Sequence, residues 1–308
     1  MNSFGTFPGP ATPAPPSTAL ARRDTTSVGS KVRGLFRSWT RVVGGTAVEE
    51  KLHRLTAREN EYGVDPFGLD LEFARAAIAP MLWLYKHYFR VETHGLENVP
   101  AHGRVLLISN HSGQLPFDGA MIGTALLAES EHPRVVRAMV EKWVPTLPYA
   151  STLFARMGQV VGTPENCRRL LSQDEAILVF PEGAKGISKL YKDAYQLQEF
   201  GNGFMRLALE MDTPIVPVAV VGAEEQAPAI ADLKGVARLL GMPAMPVTLT
   251  GLPIPLPTKY RLYFGEPMRF RGNADDEDAE IEKRVRQVKA TIQAMLNEGL
   301  RDRKHVFW

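Results

Sequence analysis

The sequence predicts an α/β protein: a single domain with a central mixed, largely parallel sheet flanked by helices, preceded by a disordered tail and an amphipathic helix. Three observations carry this. Short continuous apolar runs alternate with segments of helical period along most of the chain, as expected of strands covered on both faces by helices. Two of those runs, RVLLISN (104–110) and AILVF (176–180), each end in a polar loop, NHSGQLPFD and PEGAKG. In open α/β sheets the chemistry sits beyond such strand ends. Finally, 308 residues with 44% hydrophobic and 23% charged content suffice for a sizeable core.

The elements follow in order. Residues 1–30 hold five prolines in the first twenty positions and read as a disordered tail. The same stretch is acid-poor and carries Arg22 and Arg23, so its composition also fits a transit peptide. In KVRGLFRSWTRVVGG (31–45), Val32, Leu35, Phe36, Trp39, Val42 and Val43 share one face at helical period. Arg33, Arg37 and Arg41 form a separate stripe, and Gly44 and Gly45 end the pattern. A basic amphipathic helix of this kind suits an anionic membrane surface; it suits equally a helix packed on its own domain with a solvated back. A charged helix over 47–60 completes the segment 31–64.

The domain proper spans 65–300. DPFGLD (65–70) is a turn before a helix of 70–88, and YFRVETHGLENVP (88–100) is a short strand and turn. A central strand at 104–110 leads to a helix over 119–128. RVVRAMV (134–140) reads as a strand, 148–158 as a helix ending at Gly158, and QVVG (159–162) as extended. Thr163 as cap and Pro164 at the first helical position start a helix through 172. After the strand at 176–180 come a helix at 202–212 and a strand at 214–222. Pro217 places an edge or a bulge in that strand. The segment 241–259, with five prolines, is a surface excursion that can pack or touch lipid. A strand and turn at 259–268 precede a last helix at 277–298, with Ile281, Val285, Val288, Ile292 and Met295 on one face.

Composition narrows the function. A net charge of +2 gives no field that would attract nucleic acid. The single cysteine, Cys167, can neither staple the fold nor build a zinc site. His94, His102 and His111 lack metal-ligand spacing, so no metal is expected. No stretch reaches the roughly 18 to 20 apolar residues of a membrane span, and the start of the chain lacks the order of a signal peptide. The expected location is cytoplasmic, with peripheral attachment to a membrane.

Two loops can do chemistry. The imidazole of His111 can take a proton from a hydroxyl, and a carboxylate on its other nitrogen would fix its tautomer. Asp118 can be that carboxylate if Gly113 and Pro116 let the loop fold back. Asp118 can equally cap the helix that follows, and the two roles can coexist. In FPEGAKGISKLYK (180–192), Glu182 stands at a strand end and Gly183 and Gly186 permit close approach to a ligand. Lys185, Lys189 and Lys192 form a basic cluster able to meet an anionic headgroup, or simply a solvated helix start.

These residues resemble the glycerolipid acyltransferases of the phosphate/glycerol acyltransferase superfamily. NHSGQLPFD is similar to the family's histidine–aspartate block, FPEG to the block that helps hold the acceptor, and IVPVAVVGAE to the later proline block. GQVVGTPEN stands where the second block belongs, so the resemblance covers about residues 88–270. It implies the glycerol-3-phosphate acyltransferase-like fold and transfer of a fatty acyl group from a thioester, of coenzyme A or acyl carrier protein, to a lipid hydroxyl. His111 would be the base and Asp118 its orienter, with no covalent acyl-enzyme and no cofactor. Asn110, Ser112, Gly113, Phe180, Pro181, Glu182, Gly183, Lys185 and Lys189 would contact substrate.

The pattern departs from the family's common one in two places. Six residues, not four, separate His111 from Asp118, as in a branch that acylates neutral glycerides and other alcohols. The second block has Gly162, Thr163 and Pro164 where an arginine often binds the acceptor's phosphate. Both departures point away from phosphorylated acceptors, unless the lysines after FPEG compensate. The competing expectation is a non-catalytic lipid-binding protein on the same scaffold.

Overall fold

The computed structural model describes residues 27–112, 116–146, 149–183, 186, 189–232, 246–248 and 254–308. A seven-stranded sheet forms its centre, in the order β1-β9-β6-β2-β5-β3-β4. The strands are β1 (Glu92–His94), β2 (Val105–Ser109), β3 (Val136–Val140), β4 (Val160–Val161), β5 (Ala176–Val179), β6 (Ile215–Val221) and β9 (Arg261–Phe264). Only the β6–β9 pairing is antiparallel. The carboxyl ends of β2, β3, β4, β5 and β6 therefore share one edge. A separate antiparallel pair, β7 (Ala229–Asp232) and β8 (Pro246–Thr248), lies outside this sheet.

The continuous apolar runs become strands because both faces of the sheet are covered. On one face, Leu106, Ile108, Ile177, Ile215, Ala219 and Val221 pack with Leu170 and Ile292. On the other, Val105, Leu107, Leu178, Val216, Val218 and Val220 pack with Met121, Ile122 and Leu126. Neighbouring residues thus alternate faces, as the pleat requires. The covering helices are α4 (Phe117–Ala128) on one side and α6 (Pro164–Leu171), α7 (Gly203–Glu210) and α9 (Asp278–Asp302) on the other. Thr163 Oγ1 accepts from the Asn166 N–H at 3.2 Å, so α6 starts where its cap and proline place it.

Pro217 falls in a central strand, with β2 on one side and β9 on the other. Of the two expectations, the bulge holds and the edge does not. Val218 faces Phe264, whereas Ile215 faces Met268. Three steps along β6 oppose four along its partner, and the slip lies beside the residue that lacks an N–H.

Of the amino-terminal helices, α2 (Thr46–His53) and α3 (Leu71–Trp83) pack beside α4 through Val48, Leu52, Leu71, Ile78, Leu82 and Ala128, and α1 (Ser27–Gly44) packs on α3 and α2. Helix α1 begins four residues inside the segment expected to be disordered, and α2 ends well short of residue 60. The helix expected over 70–88 ends at Trp83 and widens into a π-helical turn, where the Phe89 N–H reaches the Leu84 carbonyl at 2.7 Å. The single apolar face expected on α1 divides. Thr40 is buried and Val43 packs inward, while Leu35, Trp39 and Val42, at i, i+4 and i+7, are exposed. Arg41 of the basic stripe makes a two-point ion pair with Glu49, at 2.6 and 3.0 Å. No helix among the described residues is long and apolar enough to cross a membrane.

Candidate active site

Strand β2 delivers Asn110, His111 and Ser112 past its carboxyl end, and β5 delivers Phe180, Pro181, Glu182 and Gly183 beside them. Helix α4 starts at Phe117, two residues earlier than expected, so Asp118 is its second residue and not its cap. Phe117 packs on Phe89, which fixes the entry of the helix. The amide end of α4 then faces the Asp118 carboxylate, a favourable place for negative charge.

His111 Nδ1 lies 2.6 Å from Asp118 Oδ2. The same oxygen accepts the Ser112 N–H at 3.1 Å, and Oδ1 accepts the Gly119 N–H at 2.7 Å. Asp118 is fully buried, whereas the His111 side chain keeps 17% of its surface exposed. With Nδ1–H donating to the carboxylate, Nε2 carries the lone pair. The imidazole stacks on the Phe180 ring, with centroids 4.2 Å apart. A Cβ at Gly119 would stand 3.4 Å from that same ring, so Phe180 is held from both sides. Burial pushes the His111 pKa down, but the Asp118 charge and hydrogen bond, aided by Glu182, outweigh it and leave it above its usual value.

Glu182 acts from beneath. Its Oε1 accepts the His111 N–H at 3.1 Å and its Oε2 accepts the Gln198 N–H at 2.8 Å. Gly186 closes the corner: a Cβ there would lie 3.0 Å from Glu182 Cβ and 3.1 Å from His111 Cβ. Gly183 adopts φ +54°, where a side chain would be strained, and a Cβ there would meet Glu141 Oε1 at 3.2 Å. Pro181 offers its carbonyl to the Gly201 N–H at 3.0 Å.

Other expected contacts stand differently. Asn110 is fully buried and turned to β6: its Oδ1 accepts the Val220 N–H at 2.8 Å and its Nδ2 donates to the Val220 carbonyl at 3.1 Å. The side chain extends the β2–β6 pairing, which leaves its amide no open face for a substrate. Ser112 Oγ is buried with no hydrogen-bond partner among the described residues. Lys189 is buried between Glu182 and Glu224, the latter on α8 (Ala223–Gln226) beyond β6. Lys192 is exposed. Gly113 and Lys185 lie outside the described residues. Glu224 and Gln198 take part without any expected role in substrate contact, and Gly186, expected to admit a ligand, faces Glu182 and His111 instead. The one signal for Glu224 was its place, a run of polar residues directly after an all-apolar strand.

A thiol nucleophile does not compete with this arrangement. Cys167 Sγ packs 3.4 Å from Met139 Sδ, and burial pushes its pKa up to about 11. No cluster of three or more His, Cys, Asp or Glu among the described residues could hold a metal ion.

The sequence profile of the Acyltransferase family matches residues 90–221, which run from the segment before β1 to the end of β6. An uncharacterized protein of Mycobacterium leprae is 40% identical over 261 residues, covering 80% of this chain and 71% of its own length. The DGAT1/2-independent enzyme synthesizing storage lipids of Bos taurus is 24% identical over 215 residues, 68% of this chain and 60% of its own. Among solved structures, the 1-acyl-sn-glycerophosphate acyltransferase of Thermotoga maritima aligns with a TM-score of 0.48 and 16% identity, over 88% of this chain and 97% of its own.

Proposed function

We propose, from the premise that this chain belongs to the acyltransferase family, that it moves a fatty acyl group from a thioester to a free hydroxyl of a lipid, with His111 as general base. Family membership supports an O-acyltransferase acting on glycerolipids in general. The base, the donor and the acceptor are our reading. The observation that carries it is the 2.6 Å contact between His111 Nδ1 and Asp118 Oδ2, which leaves the ring's lone pair to Nε2.

The step balances as follows. His111 Nε2 takes the proton of the acceptor hydroxyl as its oxygen attacks the thioester carbonyl carbon. The tetrahedral oxyanion collapses, the C–S bond breaks, and the imidazolium returns the proton to the leaving sulfur. The products are an ester and a free thiol. Asp118 stabilises the imidazolium and fixes the ring. General-base action of this kind contributes about 10²- to 10⁴-fold.

An uncharged lipid alcohol, such as a glyceride with a free hydroxyl, suits the site better than a phosphorylated acceptor. The described carboxylates Asp118, Glu182, Glu224 and Glu141 gather at this edge, and the Lys189 cation is already between two of them. The six-residue spacing supports the same choice, as does the storage-lipid synthesis for which the Bos taurus relative is named. The exposed stripe Leu35, Trp39 and Val42 would dock the protein on a membrane surface that holds the lipid acceptor.

The test is purified protein with a labelled acyl thioester of coenzyme A or acyl carrier protein. The acceptors are diglyceride, lysophospholipid, glycerol phosphate and a simple long-chain alcohol. The expected product is labelled ester with diglyceride or alcohol. Labelled free acid formed equally without any acceptor would replace transfer by hydrolysis. Lipid binding with no turnover on any acceptor would favour a non-catalytic protein.

A further inference from the structure

Read as sequence, Lys189 belongs to an exposed basic cluster. In the fold its side chain is only 3% exposed, with Nζ 2.8 Å from Glu224 Oε1 and 3.4 Å from Glu182 Oε2. The two carboxylates come from different strand ends, Glu182 after β5 and Glu224 after β6. Glu182 receives the backbone N–H of the proposed base itself, His111, and that of Gln198. Glu224 receives the Tyr195 N–H at 3.4 Å. A buried cation thus stands between the carboxylate that holds the base and a carboxylate beyond β6, on the far side of β2.

Physical chemistry gives this cation a task. The ammonium attracts Glu182 Oε2 and Glu224 Oε1 together, which fixes how the Glu182 carboxylate is turned. A Glu182 carboxylate free to turn would meet the His111 and Gln198 N–H groups less squarely. Burial pushes the Lys189 ammonium pKa down, but Glu224 and Glu182 outweigh it and keep it charged. Its depth also removes it from reach of a headgroup.

We propose that Lys189 is a positioning residue: it holds the Glu182 carboxylate aimed at the His111 N–H, and so fixes where the base stands. It acts through Glu182 and does not touch the acceptor. The inference rests on His111 being the base, and its test is built to fail separately from that reading.

Removing Lys189 alone would strand two buried carboxylates and can unfold the protein. The decisive variant is therefore Lys189→Met combined with Glu224→Gln, which removes one charge pair as a unit. In it, kcat for acyl transfer is expected to fall about 10²-fold while KM for the hydroxyl acceptor stays within about twofold, the mark of a displaced base. The amides of His111 and Gln198 should exchange with solvent at least about tenfold faster than in the wild type, while those of Leu107 and Val218 keep their rates. Glu224→Gln alone leaves Lys189 on Glu182, and both amides should stay protected. Unchanged protection of His111 and Gln198 in the double variant overturns the proposal. So does a raised KM with kcat intact, which would make Lys189 an acceptor contact. Lost protection in Glu224→Gln alone would also overturn it, by giving the role to Glu224. A wild type without acyl transfer would sink the general-base reading, and the exchange rates would still decide the role of Lys189.

Discussion

Asp118 Oδ2 stands 2.6 Å from His111 Nδ1, although six residues separate the two in sequence. The contact arises because β2 ends at Ser109 and α4 begins at Phe117 beside that strand end. The Ser112 N–H on the same carboxylate oxygen locks the turn from inside. The longer spacing is therefore compatible with the base–orienter geometry.

Asp118→Asn should slow acyl transfer by about 10²- to 10⁴-fold, since the amide cannot hold the imidazole in the same tautomer or stabilise its charge. Thermal unfolding shows whether the fold is kept, and steady-state kinetics read the loss. A variant within about threefold of the wild type would deny Asp118 the orienting role.

The pH profile follows from the same pair. The base must be neutral, and the His111 pKa is raised above its usual 6.5. Activity as kcat/KM should thus climb with pH through a midpoint above 6.5. Residual activity in Asp118→Asn should show that midpoint at lower pH, because the charge that raises it is gone. Coincident profiles would contradict the electrostatic link.

Gly186→Ala tests the packing behind the base. Its Cβ would press on Glu182 and on His111 at 3.0–3.1 Å, so His111 must shift. A cost of about 1–3 kcal/mol in stability is expected, with a larger loss in kcat than in acceptor KM. Wild-type kinetics would show that the corner is slack.

Asn110→Ala removes both hydrogen bonds to Val220 and leaves a buried N–H and carbonyl unpaired. Denaturant unfolding should show a loss of about 1–3 kcal/mol. An unchanged midpoint together with a raised acceptor KM would return Asn110 to the substrate site.

Strands and loops were legible in the sequence because they depend on local pattern. RVLLI and AILVF are covered on both faces, and their ends carry the polar residues that meet. What stayed hidden depends on partners far along the chain. Asn110 and Lys189 look like substrate contacts until Val220 and Glu224 are brought to them by the β2–β6 neighbourhood. Pro217 fits an edge or a bulge alike until the partner strand, with its one-residue slip, decides for the bulge. The face of α1 looked single because periodicity cannot say which side finds a neighbour.

That divided face gives its own test. Leu35 and Val42 are 69% and 81% exposed, so Leu35→Glu with Val42→Glu should leave thermal stability nearly unchanged. Partition onto vesicles containing anionic lipid should fall at least about tenfold, from lost apolar burial. Unchanged partition would remove α1 as a membrane contact.

The base itself is tested most directly by comparing wild type and His111→Ala in transfer of a labelled acyl group from thioester to a hydroxyl-bearing lipid. The wild type should form ester and free thiol together. His111→Ala, folded to the same melting temperature, should be slower by at least about 10²-fold. Equal turnover by the two proteins would contradict general-base catalysis by His111.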